Sequence, residues 1–145
     1  MVDKVIDGIG VVEGKVAGKI PVDDFKMIRE ASIHNVNADS ITLGKYTKGA
    51  DSYIAKAGDN STYFDLGREW SNIQSKYNLS NNEMFKYFNV PALDDAVKSG
   101  KEIRFSHNPE LPAYERSYLA QEWQYLKNKY GYQYLKKEGD VWIAR

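Results

Sequence analysis

The sequence predicts an α+β fold, in which helices pack against a small antiparallel β-sheet. Segments with apolar residues at helical spacing alternate with short segments rich in β-branched and aromatic residues, and turn-forming pairs such as Lys48-Gly49 interrupt the short segments. The element order is helix, strands, helices, strand, helix, strands, which is typical of this class. Eleven tyrosines, five phenylalanines and three tryptophans in 145 residues supply enough apolar surface for the core of one domain.

The first part of the chain is glycine-rich. Residues 1–20 hold four glycines among Val, Ile and Lys, a composition that makes a weak helix and predicts a connector or a mobile helix. We therefore assign residues 1–35 to a linker and residues 36–145 to the functional domain. A chain that begins near Ser32 is then expected to keep its activity.

The next elements are a helix and three strands. Pro21 suits a first helical turn and predicts a helix over residues 22–34, where Asp23 and Asp24 favourably meet the helix dipole. Glycine-containing turns then separate three strand segments. These segments predict an antiparallel meander over residues 40–46, 52–57 and 62–66.

Two helices follow the meander. Trp70, Ile73 and Tyr77 lie at i, i+3 and i+7, and Ser80 with Glu83 forms a capping-box pattern ahead of the second helix. The remaining predicted elements are a short helix between Pro91 and Gly100, a strand over residues 101–107, a long helix over 113–130 that Gly131 ends, and a closing hairpin over 132–143.

Composition excludes several classes of protein. The absence of cysteine excludes disulfides, thiolate catalysis and zinc sites built on cysteine, and the two histidines show no metal-ligand spacing, so neither a metal nor a cofactor is predicted. Twenty basic residues balance twenty acidic ones, so any nucleic-acid binding depends on a local patch. No apolar run is long enough for a membrane span and no secretory signal is visible, which predicts a soluble chain whose abrupt start also fits the cut edge of a longer polypeptide.

The strand over residues 101–107 carries the candidate catalytic residues. Alternation places Arg104 and Ser106 on the face opposite to His107, and Pro109 ends the strand just beyond them. A histidine at a strand end beside an arginine is able to exchange a proton with a substrate while the arginine holds a phosphate. The alternative is a surface histidine in a turn.

A basic and aromatic cluster lies on the predicted meander. Its lysines and tyrosines suit a phosphate backbone and a stacked base, although lysines that protect an edge strand give the same pattern. The candidate substrate-binding residues are Tyr46, Lys48, Tyr53, Lys56 and Thr62, with Lys45 as a catalytic assistant.

Other common catalytic arrangements find no support. Adjacent residues in a strand point to opposite faces, so Ser106 and His107 do not predict a hydrolase triad, and no Gly-x-Ser-x-Gly elbow is present. Glu115 and Glu122, two turns apart on the long helix, are expected to face solvent.

The remaining combination suits RNA cleavage without a metal. His107 serves as the general acid or base, Arg104 and Lys45 stabilise the charge on the phosphorane, and Ser106 supplies a nearby hydroxyl. RNA brings its own nucleophile, the ribose 2′-hydroxyl, so few catalytic side chains are needed.

Several motifs resemble the C-terminal toxin domains of contact-dependent growth inhibition proteins and related filamentous-haemagglutinin-type polymorphic toxins. They lie within about residues 41–126, and more than one of them includes the candidate residues above. The motifs are Leu43-Gly-Lys-Tyr46, Ser52-Tyr53, Thr62-Tyr-Phe-Asp-Leu-Gly67 with Trp70, Val90-Pro-Ala-Leu-Asp-Asp-Ala96, Ile103-Arg-Phe-Ser-His-Asn-Pro109 and Tyr118-Leu-Ala-Gln-Glu-Trp123.

The resemblance implies a fold like the barnase/EndoU/colicin/RelE group and a metal-independent ribonuclease that cuts tRNA. It also implies a cognate immunity protein bound over the active site, and an origin in a secreted or cell-surface bacterial effector that acts in the cytoplasm of a target cell. The first 35 residues then resemble the end of a delivery region. The neutral charge departs from many RNA-cutting toxins, which leaves room for a host helper protein that presents the tRNA.

Two alternatives stay open. One is a toxin directed at a nucleotide, an NAD glycohydrolase or ADP-ribosyltransferase, in which tyrosines stack on the nicotinamide and Arg104 holds the diphosphate. The other is a non-catalytic binding module of a larger surface protein. Induced expression separates the three hypotheses. The ribonuclease is expected to produce tRNA fragments, the nucleotide-directed toxin to deplete NAD, and the binding module to leave growth unimpaired.

Overall fold

A computed structural model describes residues 4–145 and shows a mixed α+β chain that divides into two compact units. One unit comprises residues up to Ile33 together with Phe64–Ala92, and the other comprises His34–Tyr63 together with Leu93–Arg145. The α+β class predicted from the sequence is confirmed. None of the helices in the described range is long and apolar enough to cross a membrane.

The elements alternate along the chain as follows. The strands are β1 Lys4–Ile6, β2 Ile9–Val12, β3 Lys15–Val16, β4 Ile20–Pro21, β5 Ile33–His34, β6 Ser40–Leu43, β7 Tyr63–Phe64, β8 Glu102–Phe105, β9 Leu135–Glu138 and β10 Val141–Ala144. The α-helices are α1 Val22–Ser32, α2 Tyr53–Ala57, α3 Glu69–Tyr77, α4 Asn81–Met84, α5 Val90–Lys98 and α6 Tyr118–Tyr130.

The glycine-rich start forms a sheet, so the expected connector or mobile helix is wrong for the described residues. Strands β1 to β4 pair in sequence order as an antiparallel meander. The glycines serve the turns: Asp7 and Gly8 both have positive φ (52° and 76°), as a two-residue hairpin turn requires. Ile9 and Val11 alternate with less buried neighbours and enter the core.

This sheet and α1 together contribute half of the buried residues of a hydrophobic core that they share with the 64–92 segment, and the first division between the compact units falls between Ile33 and His34. Ile9, Val11, Val16, Ile20 and Phe25 are buried in one cluster with residues of the 64–92 segment. A chain that begins at Ser32 loses these residues and leaves their partners exposed. We therefore no longer expect the truncated chain to keep an intact fold, while the assignment of residues 1–35 to a delivery region stays a prediction.

Truncating Phe25 tests the contribution of this segment. Its side chain is fully buried and its ring lies 5.5 Å from that of Phe88. We expect Phe25→Ala to lower the free energy of unfolding by about 3–5 kcal/mol, the usual cost of removing a buried phenylalanine ring. Urea denaturation measures the change, and Met27→Ala on the same helix, where the side chain is 64% exposed, is the matched control. Equal stability of the two variants would contradict a core role for this segment.

Local signals for the helices of this unit are confirmed. The helix predicted over residues 22–34 is α1, and the one containing Trp70 is α3. Ser80 Oγ accepts a hydrogen bond from the Glu83 N–H at 3.1 Å, while Glu83 Oε1 accepts one from the Ser80 N–H at 3.0 Å, which completes the predicted capping box.

The helix predicted to begin at Pro91 instead continues from α4. A π-helical segment, Phe85–Asn89, joins α4 to α5. Pro91 has no N–H to donate, and just before it the Val90 N–H bonds to the carbonyl of Phe85, five residues back. The chain passes from one compact unit to the other within α5.

The second unit contains a four-stranded sheet in the order β6-β8-β10-β9. The closing hairpin of β9 and β10 is confirmed as antiparallel, and β10 also runs antiparallel to β8. Strand β6, however, is parallel to β8, with Ser40 opposite Glu102 and Leu43 opposite Phe105. The predicted antiparallel meander is therefore wrong, and this sheet is mixed.

The segment predicted as a strand over residues 52–57 is the helix α2. Ser52 is its N-cap, and its Oγ accepts a hydrogen bond from the Ile54 N–H at 3.4 Å. One face of the sheet packs against α6, where Phe105 meets the Trp123 ring edge-on at 5.9 Å and Leu126 is fully buried. The long helix ends at Gly131, as predicted, with φ 76°.

Candidate active site

The parallel pairing of β6 with β8 brings two predicted residues together. Parallel strands carry their carboxyl ends at the same edge of a sheet, so Lys45 follows β6 beside the point where Ser106 follows β8. The Ser106 N–H donates to the carbonyl of Leu43 at 2.7 Å, and the Lys45 N–H donates to Ser106 Oγ at 3.2 Å. This edge positions the candidate active site.

His107 lies in the bend that follows β8 and uses both ring nitrogens. Its Nδ1 is 2.7 Å from Ser106 Oγ, and its Nε2 is 2.7 Å from Asp51 Oδ2. Only 12% of the histidine side chain is exposed, compared with 69% of that of Asp51. The alternation expected from a strand over residues 101–107 fails here, because β8 ends at Phe105 and the bend turns both side chains toward each other.

Lys56, on α2, has a largely buried side chain and connects the bend at Ser106 with the loop that carries Asp51. Lys56 Nζ donates to the carbonyl of Ser106 at 2.6 Å and to that of Asp140 at 2.8 Å, and it lies 3.5 Å from Asp51 Oδ1. Its side chain is only 7% exposed. Lys56 therefore fixes the bend and the position of Asp51 rather than facing a substrate from the surface.

Asp51 sits on a loop that is closed by backbone hydrogen bonds. The Ser52 N–H donates to the carbonyl of Gly49, and the Tyr53 N–H donates to the carbonyl of Lys45 at 3.0 Å. The hydrogen bond from His107, supported by the nearby ammonium of Lys56, holds the pKa of Asp51 below its ordinary value. The carboxylate is therefore ionised near neutral pH and only accepts hydrogen bonds, which assigns a hydrogen to Nε2 of His107.

An exposed cation and an aromatic ring complete the group. The Tyr114 ring meets the His107 ring edge-on at 5.8 Å, and Lys45 Nζ lies 5.6 Å from the centre of the same ring. We call this group the histidine site. It consists of Lys45, Asp51, Lys56, Ser106, His107 and Tyr114.

The chain of contacts from serine to histidine to aspartate corrects the expectation that Ser106 and His107 point apart. It has the connectivity of a hydrolase triad. Ser106 is nevertheless fully buried, and its Oγ already accepts the Lys45 N–H. A nucleophile must reach its substrate, so Ser106 orients the imidazole instead.

Arg104 lies outside the histidine site, contrary to the expectation that it and His107 face one phosphate. Its Nε donates to Glu102 Oε1 at 2.7 Å, and its side chain lines a separate cavity at the beginning of β8. No contact within residues 4–145 joins it to His107. The bend at Ser106 turns His107 toward Asp51 and leaves Arg104 on β8, so the two side chains do not face one phosphate.

The predicted substrate-binding residues are dispersed. Tyr46 is 64% exposed and Lys48 is also exposed, both on the loop after β6, whereas Tyr53 stands edge-on to Tyr63 with ring centres 6.3 Å apart. Thr62 is buried and its Oγ1 donates to the carbonyl of Asn35 at 2.6 Å, so a substrate has no access to it.

Two residues of the histidine site, Asp51 and Tyr114, were not predicted from the sequence. Asp51 is the one acid among the lysines of residues 41–56, and no spacing relates it to a histidine 56 positions later. Among the described residues, 4–145, no group of three histidine, aspartate or glutamate side chains could hold a metal ion.

A close approach at Gly44 sets up a test of this geometry. Gly44 has φ 148°, and a Cβ there would overlap Ser106 Oγ and lie 2.9 Å from Ser106 Cβ. Ser106 is buried and cannot move aside, so we expect Gly44→Ala to cost about 1–3 kcal/mol of stability and to separate Ser106 from His107. Urea denaturation and the imidazole NMR signals of His107 measure the two effects.

Gly49→Ala is the matched control for this substitution. A Cβ at Gly49 meets nothing within 4 Å, and its φ lies outside the positive range. If Gly44→Ala behaves like Gly49→Ala, the close packing of Gly44 on Ser106 is incorrect.

The chain was compared with protein-family models, with curated protein sequences and with solved structures, and none of the three comparisons gives a match.

Proposed function

We propose that this chain is a metal-independent endoribonuclease in which Asp51 and His107 act as an acid–base pair. The observation that carries the proposal is the 2.7 Å contact between the Asp51 carboxylate and His107 Nε2 at an accessible sheet edge. A carboxylate and an imidazole in contact supply the two proton transfers that RNA cleavage requires. Lys45 lies within the same site as an exposed cation.

The proposed reaction begins when the scissile phosphate separates the two side chains. Asp51 takes the proton of the ribose 2′-hydroxyl, whose oxygen attacks phosphorus. The bond from phosphorus to the 5′-oxygen breaks, and the leaving oxygen takes a proton from the imidazolium of His107. The products are a 2′,3′-cyclic phosphate and a 5′-hydroxyl, and a proton returned from Asp51 to His107 through solvent restores the pair.

The electrostatics of the site support these roles. The contact with His107 is the largest cause of the lowered pKa of Asp51, so a substrate that breaks this contact makes the carboxylate a stronger base. The ammonium of Lys45 stabilises the additional negative charge on the phosphorane. Ser106 holds the imidazole of His107 in position, and Lys56 holds the backbone of the bend and the loop that carries Asp51.

The nature of the nucleophile favours RNA as the substrate. Among residues 4–145, the hydroxyl that hydrogen-bonds to His107 is that of Ser106, which is buried and therefore not accessible to a substrate as a nucleophile. RNA carries its own nucleophile, the 2′-hydroxyl.

The family, the tRNA substrate and the partners are proposed from the sequence resemblance. We propose a barnase/EndoU/colicin/RelE-like toxin domain of a contact-dependent growth inhibition protein that cuts tRNA in the target cell. A cognate immunity protein would cover the histidine site, and a host helper protein would present the tRNA. The mixed α+β architecture and the motifs around Lys45 and His107 support this assignment.

The test is cleavage of total tRNA by the purified full chain in excess chelator. We expect discrete fragments that end in a 2′,3′-cyclic phosphate, and a loss of roughly 10²–10⁴ in rate for Asp51→Asn. Asp59→Asn removes an exposed carboxylate from the turn after α2 and serves as the matched control. Cleavage that stops in chelator and returns with magnesium or zinc would overturn the mechanism, and consumption of NAD with intact RNA would overturn the choice of substrate.

A further inference from the structure

A second polar site lies at the opposite end of the strands that position His107. A cavity of about 760 Å³ opens where β6 and β8 begin and β10 ends, entirely within one compact unit. We call it the arginine cavity. Its polar lining includes Ser40, Lys101, Glu102, Arg104, Tyr132 and Arg145. Its volume is that of a pocket for a nucleotide-sized ligand.

Glu102 organises the two arginines of this cavity. Its Oε1 accepts the Nε–H of Arg104 at 2.7 Å, and its Oε2 lies 3.8 Å from Arg145 Nη2. The side chains of Arg104 and Arg145 remain 39% and 44% exposed. One carboxylate therefore orients two guanidinium groups and leaves most of their N–H donors available to a ligand.

Three basic and two acidic side chains line the cavity. Lys101 and the two arginines lie there together with Glu102 and the exposed Asp39. Lys101 Nζ donates to the carbonyls of Val36 and Ala38, so its ammonium is used to hold the preceding loop. The two arginines are thus the groups that are able to bind an anion, and a phosphodiester is the anion that an RNA strand offers.

We propose that the arginine cavity binds a phosphodiester of the RNA strand outside the cut, held by Arg104 and Arg145, with an adjacent base packed on Tyr132. This proposal rests on the proposed endoribonuclease function. Glu102 and Phe105 stand at the two ends of β8, about 10 Å apart at about 3.3 Å per residue, and His107 lies in the bend just beyond, so one strand of a few nucleotides reaches both sites. Arg104 then contributes to substrate binding, while proton transfer takes place at the histidine site.

The experiment measures binding separately from cleavage. The probe is a fluorescent 2′-O-methyl oligonucleotide of random sequence, which lacks the attacking hydroxyl and is not cut. We expect Arg104→Gln and Arg145→Gln each to raise the anisotropy Kd about tenfold, and the slope of log K against log salt to fall by about one per arginine. On cleavable RNA, KM rises by a similar factor while kcat stays within about twofold of the parent.

Two further variants make the result specific to the cavity. Lys136→Gln removes the same charge from the exposed strand β9, where Lys136 pairs with Glu138, and is expected to leave Kd within about twofold. Glu102→Gln keeps the shape of the side chain but releases both guanidinium groups, so it should tighten binding severalfold. This gain is not expected of a purely structural ion pair, and it remains measurable even if an arginine variant fails to fold.

The outcomes separate the two proposals. Weaker binding by the arginine variants supports the cavity even if the parent chain cuts no RNA, and in that case only the endoribonuclease assignment fails. Cleavage by the parent together with unchanged Kd and salt slope in all three cavity variants would overturn the cavity proposal and leave the histidine site in place. An effect of Lys136→Gln equal to that of Arg104→Gln would also overturn it, because binding would then depend on overall charge.

Discussion

Replacing His107 with alanine is expected to lower the rate of RNA cleavage by roughly 10²–10⁴, the usual contribution of one acid–base group. The imidazole is the proposed donor to the leaving 5′-oxygen, and it contacts the proposed base, Asp51, at 2.7 Å. Single-turnover cleavage of tRNA measures the loss directly, and growth of cells that express the variant measures the loss of toxicity.

The folded state is expected to survive this substitution. His107 lies in a bend outside β8, and the backbone there is held without the imidazole: the Ser106 N–H bonds to Leu43, and Lys56 bonds to the carbonyl of Ser106. Far-UV circular dichroism and retained binding to the proposed immunity protein check this point.

His34→Ala is the matched control, since it removes the other histidine of the chain. The His34 ring stacks on Tyr63 with ring centres 4.6 Å apart and has no contact with the histidine site among the described residues. We expect nearly full cleavage by this variant. If His107→Ala cuts RNA as fast as the parent chain, the imidazole is structural and the catalytic centre lies elsewhere.

Glu122→Gln is expected to stabilise the protein at neutral and alkaline pH. Glu122 lies on α6 and, contrary to the sequence-based expectation of solvent exposure, its side chain is buried. Burial raises its pKa from 4.5 to about 8. The folded chain therefore holds a proton that the unfolded chain releases, and a neutral glutamine keeps the shape without the charge.

The sign of the pH dependence follows from this difference. Below about pH 4.5 both states hold the proton, and the contribution of the neutral carboxyl to stability is fully present. As the pH rises toward about 8 the unfolded chain binds fewer protons than the folded chain, so stability falls. Each pKa unit is worth about 1.4 kcal/mol, so the expected loss across this range is several kcal/mol.

Urea denaturation at a series of pH values between 5 and 9 measures this effect. The stability of Glu122→Gln should change far less with pH than that of the parent chain. Glu115→Gln, which alters an exposed glutamate of the preceding loop, should reproduce the parent profile. A parallel fall in stability for Glu122→Gln and the parent would show that another group causes the pH dependence.

Elements with strong local signals were predicted close to their observed positions. The side chains of Ser80 and Glu83 each accept a hydrogen bond from the other residue's backbone N–H, within one helical turn. Gly131 ends α6 because it adopts a positive φ. The hairpin of β9 and β10 likewise depends on a turn and its flanking residues. Each of these features is decided by residues a few positions apart, which a single sequence displays.

Elements whose neighbours are distant in sequence were misassigned. The glycines of residues 1–20 mark tight turns of a meander, but the same composition also describes a flexible connector until the partner residues of the 64–92 segment are known. Residues 52–57 have the composition of a strand, and they form α2 because Ser52 caps a helix whose Lys56 is anchored on the bend after β8.

Local signals in the sequence suffice to predict the α+β class, the capped helices, the closing hairpin and the strand that leads to His107. Tertiary contacts are needed to establish that β6 runs parallel to β8, that Asp51 meets His107, that Arg104 lies in a different cavity and that Glu122 is buried. The physical reason is that capping, turns and periodicity act between near neighbours, whereas strand direction, burial and the approach of side chains depend on which distant segments share a core. Asp51 and His107 share a hydrogen bond because two strands that lie 62 positions apart in the sequence end at one edge of the sheet, and no local pattern contains that information.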